Sequence, residues 1–113
     1  MTASPRPAPT PEPPYYAVIF TSTRTEGDRG YEEMSRRMVE LGSSYPGFLG
    51  LESARGLDGL GLTVSYWRDE ASILAWRRDA EHLQAQRAGQ QSWYTQYQVR
   101  IAKVERAYGM PAK

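Results

Sequence analysis

The chain has no cysteine and no asparagine, and its one histidine is His82. Without cysteine there is no disulfide framework, no thiolate nucleophile, no thiolate-held zinc and no iron–sulfur cluster. One histidine argues against a multi-histidine metal centre within one chain. Charge of one sign is missing too. Fourteen basic residues are mixed with 13 acidic ones, for a net charge of +1. No stripe of Lys and Arg therefore marks a nucleic-acid surface. No apolar run approaches the roughly 20 residues that span a membrane. The N-terminus lacks the apolar core of a signal peptide, so no membrane association and a cytoplasmic location are expected.

What is present fits a single domain. A chain of 113 residues can bury roughly two-thirds of its unfolded surface without staples. Residues 1–14, "MTASPRPAPTPEPP", carry six prolines, which predicts an extended or disordered tail. A folded domain is expected over 15–109, and a short tail over 110–113.

Within the domain the periodicity alternates. "YYAVIFTST" (15–23) is short, β-branched and aromatic, and is bounded by "EGDRG"; it reads as a strand. It is apolar on both alternations, so both of its faces need cover. Over 28–42, Tyr31, Met34, Met38 and Leu41 recur at helical spacing. Asp28 is a candidate cap and Gly42 a candidate stop. "FLGLESAR" (48–55) and "LGLTVSYW" (60–67) read as strands joined through "GLDG" (56–59), a hairpin signal. Asp69 is placed to cap the helix that begins "EASILAW". The last strand is expected over 93–108. Strand, helix, strand, strand, helix, strand is a ferredoxin-like α+β fold, a split βαβ with an antiparallel sheet and helices on one face. The other face is left bare, and a second copy packing sheet to sheet would cover it, making a homodimer.

Three segments carry a resemblance: "YAVIFTSTRTEG", "YPGFLGLESAR" and "TVSYWRDEASILAW". With them the chain resembles the antibiotic biosynthesis monooxygenase family of dimeric α+β barrels, over roughly residues 15 to 109. "AEHLQAQRAGQQSWY" and "VERAYG" resemble one branch of it. The resemblance implies a dimer and a small aromatic substrate, but the family mixes chemistries. Haem-degrading members pair a helix-two Trp with a ligating His ten residues on, and use an Asn on strand one. Trp76 takes the Trp position, Gln86 stands where the His would be, and the chain has no Asn. An amide is a poor ligand for haem iron, so haem binding or degradation is the least supported alternative.

Cofactor-free members oxidise phenolic or anthrone-type polyketides, and the substrate supplies its own electrons. Such a protein needs an apolar pocket, orienting hydrogen bonds and a proton acceptor. Trp67 matches the family Trp that ends strand three. Thr63 and Ile73 stand where the family's Asn and Tyr would be. No cofactor is expected under this reading.

The candidate catalytic residues are His82 and Trp67. Candidate substrate contacts are Tyr16, Met34, Met38, Tyr66, Trp76 and Arg55. Each also has a structural reading. If 70–91 is one helix, His82 lies about 130° from its apolar stripe and faces solvent. A break at "RRDAEH", with Asp79 capping a second helix, would reset that phase. His82 is the one side chain that titrates near neutrality without perturbation. Trp76 is core or pocket wall, and Trp67 a hairpin anchor or a pocket mouth. Trp93 and Tyr94 read as packing. Met34 and Met38 are adaptable fillers or cavity walls. Arg55 is a solvated strand end or the partner of a phenolate. Two functions from different classes remain. One is a cofactor-independent monooxygenase-like enzyme of secondary metabolism acting on a planar aromatic intermediate. The other is a non-catalytic ligand-binding or accessory dimer of the same fold. A roomy closed cavity with a convergent polar group would favour the first, and a filled one the second.

Overall fold

The computed structural model describes residues 6–27, 30–85 and 93–111, with backbone alone over 81–85. The order is β1 (Tyr15–Arg24), α1 (Tyr31–Ser43), β2 (Phe48–Arg55), β3 (Leu60–Trp67), α2 (Glu70–Ala85) and β4 (Tyr94–Val104). The four strands form one sheet in the order β2-β3-β1-β4. Every neighbouring pair is antiparallel. This is the expected ferredoxin-like arrangement.

Local chemistry explains most boundaries. In the β2–β3 hairpin, Gly59 takes a positive φ of 91°, and the Asp58 carboxylate accepts from the Leu60 N–H at 3.1 Å. Asp69 caps α2 as expected, accepting from the Ser72 N–H at 2.8 Å. The last strand ends at Val104, four residues before the expected limit.

Two helix expectations are corrected. Gly42 does not stop α1 but lies buried inside it. Its missing side chain serves close packing, because a Cβ there would stand 3.1 Å from the Trp76 Nε1 of α2. The helix ends beyond it, where Ser43 and Ser44 hydroxyls donate to the Val39 and Leu41 carbonyls and Pro46 follows. Nor does α2 break at Asp79; it runs on to Ala85. Asp79 instead accepts a short hydrogen bond from the Tyr45 hydroxyl, which ties α2 to the turn before β2. The observed N-cap of α1 is Gly30, left-handed at φ 84°; Asp28 lies outside the described residues.

The strand registers place the helix-side residues in rows across β2, β3, β1 and β4. One row is Arg55–Gly61–Ser22–Tyr97, and the next is Ser53–Thr63–Phe20–Val99. Leu51–Ser65–Val18–Ile101 follows. At the far end Trp67 stands beside Phe48 on one side and Tyr16 on the other. Helix α1 packs over β2 and α2 over β3. The core therefore sits at the Trp67 end, where Val18, Trp67 and Ile73 are buried and Tyr16, Tyr45, Phe48 and Trp76 close around them.

Candidate functional site

At one end the space between helices and sheet is filled. Trp67 is 0% exposed, with ring centroids at 5.4 Å from Phe48, 5.4 Å from Trp76 and 6.4 Å from Tyr45. Its Nε1 donates to the Ser65 hydroxyl at 2.9 Å. These contacts account for Trp67 as packing, and each such ring removes roughly 150–250 Å² from water. Trp76 presses its Nε1 toward Gly42, and that buried N–H has no hydrogen-bond partner among the described residues.

The other end is open. Among the described residues α1 reaches β4 through Tyr31 against Tyr94, and the helix-side residues beyond that contact are bare: Tyr97 is 60% exposed, and Val99 and Ile101 are exposed as well. Phe20 continues this apolar floor, stacked on Tyr97 at 5.3–5.4 Å from both Tyr94 and Tyr97. The end wall is polar. Arg55 lays its guanidinium over Gly61, where a Cβ would stand 2.5 Å from Cζ. From there Nη2 donates to the Ser22 hydroxyl at 3.2 Å and to the Tyr31 hydroxyl at 3.4 Å. Nη1 donates to the Gly59 carbonyl. Ser22 is 2% exposed, so this bond satisfies a buried hydroxyl. A second guanidinium, Arg24, lies 3.8 Å from the Tyr31 ring centroid and donates to the Trp93 carbonyl at 2.9 Å. Tyr31 packs edge-on against Trp93 and Tyr94. Burial, reinforced by Tyr31, pushes the Tyr94 hydroxyl well above the usual phenol range, so it stays protonated at any physiological pH.

The expected site residues divide among these places. Tyr16, Trp67 and Trp76 meet at the filled end. Met34 is buried on α1, and Met38 is partly buried one turn on. Arg55 stands at the open end. Tyr66 does not join them. As the strand neighbour of Trp67 it points to the opposite sheet face, where its hydroxyl donates to Glu52 at 2.7 Å. Burial and that carboxylate push its pKa up to about 12. The side chain of His82 lies outside the described residues, as does Gln86. Sequence reasoning missed Ser22, Arg24, Tyr31, Tyr94 and Tyr97 as site-forming residues. The hint for the first was "FTST", a polar residue in phase with Val18 and Phe20. The hint for Arg55 was the glycine at 61, in the middle of a strand pattern.

The opposite face is bare at one end and covered at the other, where Tyr15 and Ala17 are buried. Leu60 and Leu62 are exposed on it, beside a shallow hollow of about 250 Å³ near Thr21, Thr23, Gln98 and Arg100. The proline-rich tail crosses its other end. The Ala8 N–H donates to Glu52 at 2.8 Å, Thr10 bonds the Tyr15 hydroxyl at 3.0 Å, and Gly50 leaves room for the Ala8 methyl. Among the described residues no group of three or more metal-ligating side chains gathers. No helix among them is long and apolar enough to cross a membrane.

Residues 14–88 match the family model for Antibiotic biosynthesis monooxygenase. The chain is 55% identical over 97 residues to the uncharacterized protein YqjZ of Bacillus subtilis (strain 168), covering 86% of this chain and 85% of that one. Among solved structures, it is similar to SnoaB, a cofactor-independent oxygenase from Streptomyces nogalater. That likeness has a TM-score of 0.61 at 14% identity and covers 88% of this chain and 100% of that one. It is similar also to NE2512 from Nitrosomonas europaea, a protein of unknown function, with a TM-score of 0.63 at 16% identity, covering 88% and 97%.

Proposed function

Because this chain belongs to the antibiotic biosynthesis monooxygenase family, we propose that it is a small cofactor-independent oxygenase acting on a planar aromatic intermediate of secondary metabolism. The observation that carries the reading is the open half of the helix-side face. It offers an apolar aromatic floor, Phe20, Tyr97 and Val99, beside convergent hydrogen-bond donors at Arg55 and Tyr31. The fold it shares with a named cofactor-independent oxygenase supports it.

The chemistry balances without a cofactor. An anthrone-type methylene loses a proton to a base. The carbanion reduces dioxygen, forming a carbon–oxygen bond. The peroxide so formed takes that proton back, and loss of water, which carries the second oxygen atom and the remaining C–H hydrogen, leaves the quinone carbonyl. The protein orients the ring and accepts the proton. His82, the one side chain that titrates near neutrality without perturbation, is the proposed acceptor, reached through water, because in an unbroken α2 position 82 falls about 130° from the apolar stripe. Tyr16, Met34, Met38, Trp67 and Trp76 are proposed as the wall behind the floor. Two copies are proposed to join through the bare sheet face around Leu60 and Leu62.

Oxygen uptake by metal-stripped protein, with an anthrone-type phenol, tests this. Wild type is expected to turn over, and His82→Ala to lose about 10²–10⁴ in rate. A requirement for added flavin or metal would refute the cofactor-free reading. A second reading, a non-catalytic ligand-binding or accessory dimer, is favoured by the filling of the Trp67 end. No turnover with any such substrate would move the weight to it.

A further inference from the structure

The end wall of the open half has an electrostatic imbalance. Two guanidiniums flank one ring, Arg24 at 3.8 Å and Arg55 at 5.9 Å from the Tyr31 centroid. Among the described residues neither makes an ion pair; the pairs found there are Arg37–Glu33 and Arg68–Asp69. The partners of Arg24 and Arg55 are carbonyls and hydroxyls, which orient a cation without neutralising it. Of the carboxylates nearest in sequence to Arg55, Asp58 is turned onto the Leu60 N–H within the hairpin, and Glu52 faces the other side of the sheet with Tyr66. Arg55 is also seated rather than free, because Gly61 leaves the space that its guanidinium fills.

We propose that the ligand of this half is a planar aromatic acid, with its carboxylate on Arg55 beside the Tyr31 hydroxyl and its ring on Phe20, Tyr97 and Val99. The proposal deepens the functional reading above and rests on its placement of the site. The spacing suits a fused-ring molecule. The Arg55 guanidinium reaches over Gly61 to Ser22, one strand spacing, about 5 Å, from Tyr97, and the rows are about 7 Å apart. The terminal nitrogens of Arg55 already donate to Ser22, Gly59 and Tyr31, and the long 3.4 Å bond to Tyr31 is the one a carboxylate would take over. The Tyr94 hydroxyl, held protonated by burial, adds no competing negative charge.

The test uses a matched pair of probes, 2-naphthoate and 2-naphthalenemethanol, which share a ring system and differ in charge. Each is titrated into the full-length protein, with amide shifts followed by NMR. The naphthoate is expected to bind about tenfold more tightly, the worth of one charge-assisted hydrogen bond. Shifts should centre on Ser22, Gly61 and Tyr97. Arg55→Gln should remove the preference and leave the alcohol's affinity in place. Arg106→Gln, which removes an equal charge beyond β4, should change neither. If Arg55→Gln does not fold, Gly61→Ala, which crowds the guanidinium while retaining it, takes its place. Equal affinities for the two probes, a preference that survives Arg55→Gln or Gly61→Ala, an equal loss in Arg106→Gln, shifts centred on Leu62 and Ile19, or no binding of either probe would each overturn the proposal. Absence of oxygen uptake alongside a confirmed preference would sink the oxygenase reading and leave the anion seat standing. The reverse outcome would sink the seat alone.

Discussion

Gly61→Ala perturbs the open end without removing a polar group. A Cβ at this position would stand 2.5 Å from Arg55 Cζ and 2.7 Å from both terminal nitrogens. No two such atoms coexist at that distance, so the guanidinium must leave. It can do so, because it ends a flexible chain and Arg55 is exposed. The cost is the bond to Ser22, whose hydroxyl is buried, and an unsatisfied buried hydroxyl costs about 1–3 kcal/mol. Losing glycine's freedom in the unfolded chain offsets about 0.4–1 kcal/mol of that. The net destabilisation is then about 1–2 kcal/mol, a fall of several degrees in Tm for a domain of this size. Thermal unfolding by circular dichroism measures it, and the naphthoate titration of the same variant reads the seat. A variant as stable as wild type, with its anion preference intact, would refute the placement of Arg55 over Gly61.

Gly47→Ala should behave differently although it too creates a clash. Its Cβ would meet Ser72 Cβ at 2.5 Å, and Ser72 is pinned in the first turn of α2 by Asp69; overpacking of this kind costs about 1–3 kcal/mol, read as a lower Tm. Trp67→Ala should cost about 3–5 kcal/mol in denaturant unfolding, because it empties the centre of the filled end. Asp69 has its pKa lowered, chiefly by hydrogen bonds from Ser72. Its contribution is therefore present above its unfolded pKa and lost as pH falls through the folded one, and Asp69→Ala should flatten the acid limb of a Tm-against-pH curve. Leu62→Lys, on the bare sheet face, should convert a dimer to monomer in sedimentation at low micromolar concentration; a wild type already monomeric there would remove the sheet-face dimer.

The order of elements was legible because it rests on local rules. Period-two runs marked the strands, "GLDG" marked the hairpin, and Asp69 marked the start of α2. Their chemistry is complete within a few residues. Gly42 was misread for the same reason. A glycine near a helix end looks like a stop until the Trp76 ring of another helix is known to need its space. Asp79 looked like a cap until the Tyr45 hydroxyl proved to hold it. Tyr66 could have been separated from Trp67 by strand alternation alone, since adjacent residues point to opposite faces.

The sequence by itself determined the fold class, the aromatic stock of the core and the absence of thiol chemistry. Only the tertiary structure decided which half of the helix-side face is filled and which is open, because that depends on α1 and α2 both lying toward β2 and β3. It alone brought Ser22, Arg55, Gly61 and Tyr97 into one row. These residues come from four different strands, and their meeting depends on strand register. Register is set by the summed packing of whole strands and turns, so no single stretch of the chain carries it.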